Sequence, residues 1–485
     1  MAVTLCFSYA TVYSKISGNS CSMVNYQKVH FIGIGGIGMC GLAEILLNQG
    51  CQVSGSDEAS SQITQRLSEM GANFFLGHQA TNIQDAELVI YSSAINPQNP
   101  ELLAAKQKGI LTLKRGELLA KFMEQSLGVA IAGTHGKTTT TGMISYVLKE
   151  TALNPTSING GILQGGISTV HLGSNDYFVA EADESDVSFL LLNPKIAVIT
   201  NVEADHLENY SGDFSQLKNS FLQFGNSIPK DGLLICGIDN PELRNLLPYF
   251  HVPIVTFGFS EDADFQARDY QQKSFQGSFF VKGKDFNQEI AWQLQVPGRH
   301  NIQNALATIA TCHALGIDEI TIRRTLASFP GMGRRFHLCG RLPVKNGETL
   351  IYTDYGHHPS EIAATIKAAK EVWPNRRIVM VFQPHRFSRT QALLDEFVTV
   401  LATADVLILM DIYSAGESPL KNLNGETLFE LLKNKHNKMF YIKELTNLPS
   451  ELPEILEADD IVFLQGAGSI GTQAVRLLSN HFVAS

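Results

Sequence analysis

Gly133-Thr134-His135-Gly136-Lys137-Thr138-Thr139-Thr140 is the stretch whose residue types and order most directly imply chemistry. An apolar run, Val129-Ala130-Ile131-Ala132, leads into it and a helix-compatible stretch, 142–150, follows, giving the order strand, glycine turn, helix. Glycines let backbone N–H groups wrap a phosphate, and the first turn of the following helix adds more donors. In such a turn Lys137 reaches the outer phosphates and the Thr138 hydroxyl sits on Mg2+. The two glycines stand closer together than in the general P-loop pattern, which has four residues between them. The expectation is a nucleoside triphosphate held by Gly133, Thr134, His135, Gly136, Lys137, Thr138 and Thr139; the bland alternative is an ordinary turn.

Five further strand-end motifs carry polar chemistry. Gly33-x-Gly35-x-x-Gly38 follows the apolar run Val29-His30-Phe31-Ile32, and Asp57 lies after the next strand-like run. That is the dinucleotide fingerprint, with Asp57 on a ribose hydroxyl, although the same glycine geometry serves any diphosphate. A second copy, Gly466-x-Gly468-x-x-Gly471, shows how little the pattern says about the ligand. Glu181-Ala182-Asp183-Glu184-Ser185-Asp186 ends an apolar run, where a carboxylate beside a phosphate loop is placed to hold Mg2+; a solvated acidic loop is the alternative. Asp205 and His206 follow the next run and return to the same crevice. Asp354-Tyr355-Gly356-His357-His358-Pro359 and His385-Arg386-Phe387-Ser388-Arg389 also follow strand-like runs, and Arg386 and Arg389 suit a carboxylate or phosphoryl group. Asn301 and Asn304 stand one helical turn apart and share a face, fit either to read a base edge or to cap the helix.

The elements that must position these groups alternate between strand-like and helix-like stretches from about residue 29 onward, the signature of parallel α/β layers. A chain of 485 residues implies roughly three domains at about 150 residues each. The expected division is 24–122, 123–333 and 334–485: a Rossmann-like N-terminal domain, a central P-loop-type ATPase domain and a Rossmann-like C-terminal domain. Residues 1–23 read as a disordered tail, or as sequence upstream of a start at Met23. The net charge of −10 argues against nucleic acid as the main partner. Seven scattered cysteines without a Cys-x-x-Cys pair read as free thiols of a reducing cytoplasm, and no run of about 18 apolar residues predicts a membrane span.

Taken together, Gly-Thr-His-Gly-Lys-Thr-Thr-Thr at 133–140, Glu-Ala-Asp-Glu-Ser-Asp at 181–186, Asp-His-Leu-Glu-Asn-Tyr at 205–210, Gly-Arg-His-Asn-Ile-Gln-Asn-Ala at 298–305, Asp-Tyr-Gly-His-His-Pro at 354–359 and Pro-His-Arg-Phe-Ser-Arg at 384–389 resemble the ATP-dependent Mur ligases. With Gly-Ile-Gly-Gly-Ile-Gly-Met at 33–39, the resemblance runs from about residue 26 to the C-terminus with the motifs in the family's order.

The resemblance implies a cytoplasmic enzyme, a monomer or weak homodimer, that couples L-alanine to the carboxylate of UDP-N-acetylmuramate with ATP and Mg2+. It would place the UDP-sugar on Gly33, Gly35, Gly36, Gly38, Asp57, Ser92 and Ser93. ATP would lie on the 133–139 loop with Asn301, Asn304, Arg335 and Asp354, and the metal on Thr138, Glu181 and His206. Alanine would meet Tyr355, His357, Arg386 and Arg389, with Lys137, Glu181, His206, His357 and Arg386 as the catalytic set. Thr353 stands where the family often has a second acid, and Phe221 where sister ligases carry a carbamylated lysine. Three alternatives remain open: a sister ligase that attaches a recycled peptide, an NAD-dependent oxidoreductase read from Gly33–Gly38 and Asp57, and a nucleotide-binding regulator without chemistry.

Overall fold

The computed structural model describes residues 26–479 apart from 284, 285 and 287; the expected tail, 1–23, lies outside the described residues. Three separate sheets follow one another along the chain. In the central and C-terminal sheets the strands Ile196–Ile199, Ile378–Phe382 and Val406–Met410 are apolar and buried at every position, as parallel strands covered on both faces require.

The first sheet is all parallel, in the order Asn73–Leu76, Gln52–Asp57, Lys28–Ile32, Leu88–Tyr91, Leu111–Lys114. The order reverses direction between Lys28–Ile32 and Leu88–Tyr91, and such a switch point opens a crevice beyond the strand ends. Gly33 and Ser92 are the residues that leave those two strands.

The central sheet has ten strands. Leu127–Ala132 lies between Ile196–Ile199 and Ser174–Glu181, all parallel, so the phosphate-type loop, Thr200 and Glu181 leave three adjacent strands at the same edge. Beyond Ile254–Gly258 the sheet continues into Phe265–Lys273, Gln276–Gly283 and Ile290–Leu294, the last three joined by antiparallel pairing. The third sheet has six strands, with Gly347–Asp354, Ile461–Gln465 and Ile378–Phe382 side by side and parallel, and only His337–Val344 antiparallel.

Two joints hold these layers. Between the first and central units, Arg66 pairs with buried Glu44 at 2.5 Å, and Ser168 donates to the same carboxylate at 2.8 Å. Gly41 is required there: a Cβ would come within 2.9 Å of Val170 Cγ2. Between the central and C-terminal units, the turn after Phe265–Lys273 carries Phe275 into an aromatic cluster of the third layer. Phe275 stacks on Tyr352 at 6.4 Å and meets Trp373 edge-on at 5.4 Å and Phe336 at 6.3 Å. Tyr270, on the same hairpin, donates to Glu371 at 3.1 Å.

Candidate active site

The strand ends of all three sheets open into one cleft of about 1060 Å3. Lys137, Thr138, Glu181, His206, Arg335, Tyr355, His357, Arg386 and Arg389 line it, with Gly36, Gly38, Ser92, Ser93, Thr134, His135 and Gly136.

The phosphate-type loop is built as its sequence predicts. Gly133 and Gly136 take φ values of 129° and 85°, a region that favours glycine, and helix Lys137–Lys149 starts directly after. Backbone and side chains of the next strand end hold the loop open: His135 N–H donates to Asn201 Oδ1 at 2.9 Å, and Thr200 Oγ1 donates to the His135 carbonyl at 2.6 Å. Lys137 Nζ donates to the Gly133 carbonyl at 2.6 Å and pairs with Glu184 at 2.7 Å. Burial opposes the Lys137 charge, but the Glu184 and Asp183 carboxylates outweigh it and raise its pKa. Burial pushes Glu184 up to about 7 despite that ammonium.

Glu181 accepts the Gly160 N–H on one oxygen at 2.5 Å and the Thr138 hydroxyl on the other at 3.3 Å. Burial raises its pKa, so the carboxylate is short of positive charge. A buried, under-compensated acid beside a hydroxyl at the mouth of a phosphate loop fits a hard divalent cation. Two sets of ligand-type atoms also close to within 4.8 Å: Asp205, His206 and His357, and His135, Glu203 and His358. In the second set His135 is protonated. Burial opposes its charge, but Glu361 and Glu203 on either side raise its pKa to about 10, and an imidazolium binds no metal.

Linkage gives this charge a measurable consequence. A histidine whose pKa is raised by folding contributes stability that is complete below its unfolded value and is lost as pH rises through the folded one. The window here runs from 6.5 to about 10. Glu203, Glu361, Ser360 and His358, itself lowered by burial, face the ring. Across that window the melting temperature of His135→Gln should fall less steeply with pH than that of the wild type; parallel curves would mean the ring carries no charge.

His357 is the opposite case. Burial, and Arg389 nearby, lower it to about 3 against the pull of Glu361, so the ring is neutral. Its Nδ1 donates to the Tyr355 carbonyl at 3.2 Å, leaving Nε2 as an acceptor. Arg389 Nε pairs with Asp205 at 3.1 Å, both side chains buried, and Arg386 pairs with Glu208. Both arginines therefore cross from the C-terminal unit to the central one.

Several expected contacts are placed elsewhere. Gly33, Gly35, Asp57, Gly133, Thr139, Asn301, Asn304 and Asp354 do not form the cleft wall. Asp57 accepts the Gly35 N–H at 2.9 Å, so the acid that a dinucleotide site aims at a ribose here braces its own glycine turn. Asn304 lies behind the phosphate loop, where it accepts from Thr140 at 3.2 Å and donates to Asn301 at 3.2 Å. A side chain on Gly136 would come within 2.6 Å of Asn304 Oδ1. Asp354 accepts the N–H groups of Phe336 and Gly356, both at 2.8 Å, and the Gln465 amide at 3.0 Å, which occupies it in fixing the strand end.

Other residues were not singled out by motif. Arg115 bridges the first and central units, 3.3 Å from Asp186. Arg334 lies over the Tyr355 ring at 4.7 Å and donates to the Gly466 carbonyl at 3.2 Å. Glu361 gathers contacts from three segments. The Arg334-Arg335 doublet after Gly331-Met332-Gly333 is a sequence signal that could have pointed at part of this group, although only Arg335 was expected, from the resemblance. Phe221 is wholly buried against Phe189, ring centroids 5.3 Å apart.

Comparison with known proteins matches each layer in turn. Residues 28–127 match the Mur ligase family, catalytic domain; 131–312 the Mur ligase middle domain; 334–468 the Mur ligase, glutamate ligase domain. UDP-N-acetylmuramate–L-alanine ligase from several strains of Coxiella burnetii is 45% identical over 456 residues, covering 94% of this chain and 98% of the relative. The crystal structure of UDP-N-acetylmuramate-alanine ligase from Thermotoga maritima superposes with a TM-score of 0.81 at 28% identity, over 94% of this chain and 100% of that one. A murein peptide ligase from Psychrobacter arcticus shares the fold, with a TM-score of 0.70 at 23% identity over 93% of this chain and 98% of its own. With all three layers matched in order and nearly half the residues shared with full-length relatives, the chain belongs to the Mur ligase family.

Proposed function

We propose that this chain is an ATP-dependent ligase that joins L-alanine to the lactyl carboxylate of UDP-N-acetylmuramate, an early cytoplasmic step of peptidoglycan synthesis. The observation that carries the reading is the single cleft into which a glycine turn, a phosphate loop and an arginine–histidine cluster open from three successive layers. We take those layers as domains 24–122, 123–333 and 334–485. The 45% identical relatives of matching length bear the alanine ligase name, which supports the amino-acid assignment.

In this reading the UDP diphosphate lies against Gly36 and Gly38 at the start of helix Ile37–Asn48, with Ser92 and Ser93 on the neighbouring strand end. ATP lies on the 134–138 loop with its outer phosphates at Lys137. Glu181, Thr138 and His206 would hold Mg2+, which supplies charge neutralisation between the phosphates and the substrate carboxylate. The carboxylate oxygen attacks the γ-phosphorus, ADP leaves, and an acyl phosphate forms. The alanine amine then attacks the acyl carbon, the carbon–oxygen bond to phosphate breaks, and phosphate leaves with the electron pair while the nitrogen loses its proton. Two anions must approach each other in the first step, so most of the protein's work is positioning and positive charge, supplied by Lys137, Arg386 and Arg389. Neutral His357 offers Nε2 as acceptor to the amine. Closure of the cleft keeps water from the acyl phosphate.

The test is ADP release by the purified protein with ATP, Mg2+ and UDP-N-acetylmuramate, with and without L-alanine. We expect ADP only with both substrates, and a product of the alanyl amide mass. Turnover with a tripeptide, glycine or serine in place of alanine would keep the ligase chemistry and overturn the specificity; no ADP under any combination would overturn both.

A further inference from the structure

We propose that Glu361, acting through His135, is a positioning residue that ties the phosphate loop to the loop carrying His357, so that the two halves of the reaction site come into register only when the C-terminal domain is closed. Its catalytic consequence rests on the ligase reading above; the closure it describes rests on geometry alone.

Glu361 lies in the first turn of helix Pro359–Val372. Its two oxygens do different work. Oε2 accepts the backbone N–H groups of His357 at 2.8 Å and His358 at 3.2 Å, which fixes the loop presenting the His357 ring. Oε1 faces two cations from elsewhere: Arg335 Nη1 at 3.2 Å and His135 Nδ1 at 3.5 Å. Arg335 follows Gly331-Met332-Gly333 at the joint between the central and C-terminal units, and His135 is part of the phosphate loop itself. One carboxylate thus meets the nucleotide side, the joint and the amino-acid side.

The His135 ring cannot follow the C-terminal unit if that unit swings away. Its backbone N–H and carbonyl are both bonded to Asn201, each at 2.9 Å, within the central unit. Its Nε2 faces Glu203 at 3.3 Å, again in the central unit, and Ser360 Oγ at 3.2 Å across the joint. Opening therefore breaks the Glu361 and Ser360 contacts and leaves Glu203 behind. The nearby cations are already engaged: Lys137 with Glu184, and Arg389 with Asp205. No step of the ligase reading uses Glu361, and its capping of helix Pro359–Val372 does not account for the contacts of Oε1 with Arg335 and His135.

Glu361→Gln separates the two roles. Glutamine serves at this capping position and keeps an oxygen for the two N–H groups, but it removes the charge that His135 meets. His135→Gln removes the other partner, and Glu203→Gln removes a carboxylate that stays on the His135 side of the joint. In the ADP-release assay, Glu361→Gln should raise KM for alanine about tenfold while KM for ATP stays within about twofold; His135→Gln, which also alters the phosphate loop itself, should raise KM for alanine by a similar factor, and the double variant should be no worse for alanine than the poorer single one. By small-angle X-ray scattering with Mg2+-ADP and UDP-N-acetylmuramate, both variants should have a larger radius of gyration than the wild type, and Glu203→Gln the wild-type value. Additive effects on alanine KM, or wild-type dimensions for Glu361→Gln, would overturn the proposal. A wild-type enzyme that makes no ADP would overturn the ligase reading alone, because the same scattering comparison on the ligand-free proteins would still decide the coupling.

Discussion

Replacing Lys137 with alanine should lower ADP formation by about 10²–10³-fold, the usual cost of removing one preorganised charge-stabilising donor, while leaving thermal unfolding close to that of the wild type. The catalytic loss follows from placement. The ammonium sits at the first position of helix Lys137–Lys149, inside the cleft, held by the Gly133 and Thr134 carbonyls at 2.6 and 3.2 Å. Among the described residues, no other lysine or arginine lies in the phosphate loop, 133–140. The small structural effect follows from Glu184. Its side chain is almost wholly buried, and burial already holds its pKa near 7 with the ammonium present. Without Lys137 that value rises further, so the acid takes up a proton near neutral pH and is left buried but uncharged, which costs far less than a buried carboxylate. Steady-state ADP release and a thermal melt on the same preparation check both halves. Turnover within about threefold of the wild type would remove Lys137 from the chemistry.

Arg389→Ala should act mainly on the joint between the central and C-terminal units. The guanidinium and the Asp205 carboxylate are 6% and 5% exposed, and they meet at 3.1 Å. Arg389 also reaches the His385 carbonyl at 3.4 Å and His206 Nδ1 at 3.4 Å. Truncation leaves Asp205 buried without its partner, and breaking a buried pair from one side costs on the order of 3–5 kcal/mol. A chain this large need not unfold in one step, so the reading must resolve its parts. The two tryptophans serve that purpose, since Trp292 lies in the central sheet and Trp373 in the C-terminal aromatic cluster. Urea unfolding followed by fluorescence should show the Trp373 transition moving to lower urea. Arg389→Lys should recover part of that shift, because the charge returns, but little of the activity, because the fork geometry does not. Unchanged unfolding in Arg389→Ala would mean the pair adds nothing to the joint.

The strands that carry chemistry were legible because their signal is local. The runs at 129–132, 196–199, 378–382 and 461–464 are continuously apolar, and the structure buries each within an inner parallel strand. The phosphate-type turn was legible for the same reason: two glycines, a lysine and a threonine must be consecutive to act together. The antiparallel hairpin Phe265–Lys273 and Gln276–Gly283 was not, since its exposed positions mix Asp269, Gln271, Lys273 and Lys282 with apolar Phe280 and its pairing partner sets the pattern. Asp57 and Asp354 show a second limit. Residue type told that an acid stood at a strand end, but whether it faces a ligand or its own backbone depends on neighbouring N–H groups, here those of Gly35, Phe336 and Gly356. Glu361 shows a third: from the sequence it is a helix-capping acid like many others, and its contacts with His135 and Arg335 arise only once distant layers meet.

Phe275 gives the joint an unequal mechanics. On its side the two units touch through rings of Phe336, Tyr352 and Trp373, and on the far side through charged pairs such as Arg386–Glu208 and His135–Glu361. Aromatic faces roll and slide over one another with little change in buried area and little regard for salt, whereas ion pairs part at a defined distance and weaken as ions are added. The C-terminal unit is therefore hung like a door, with its bearing at Phe275 and its free edge over the phosphate loop. Added salt should therefore loosen the phosphate-loop edge while leaving the Phe275 contact in place.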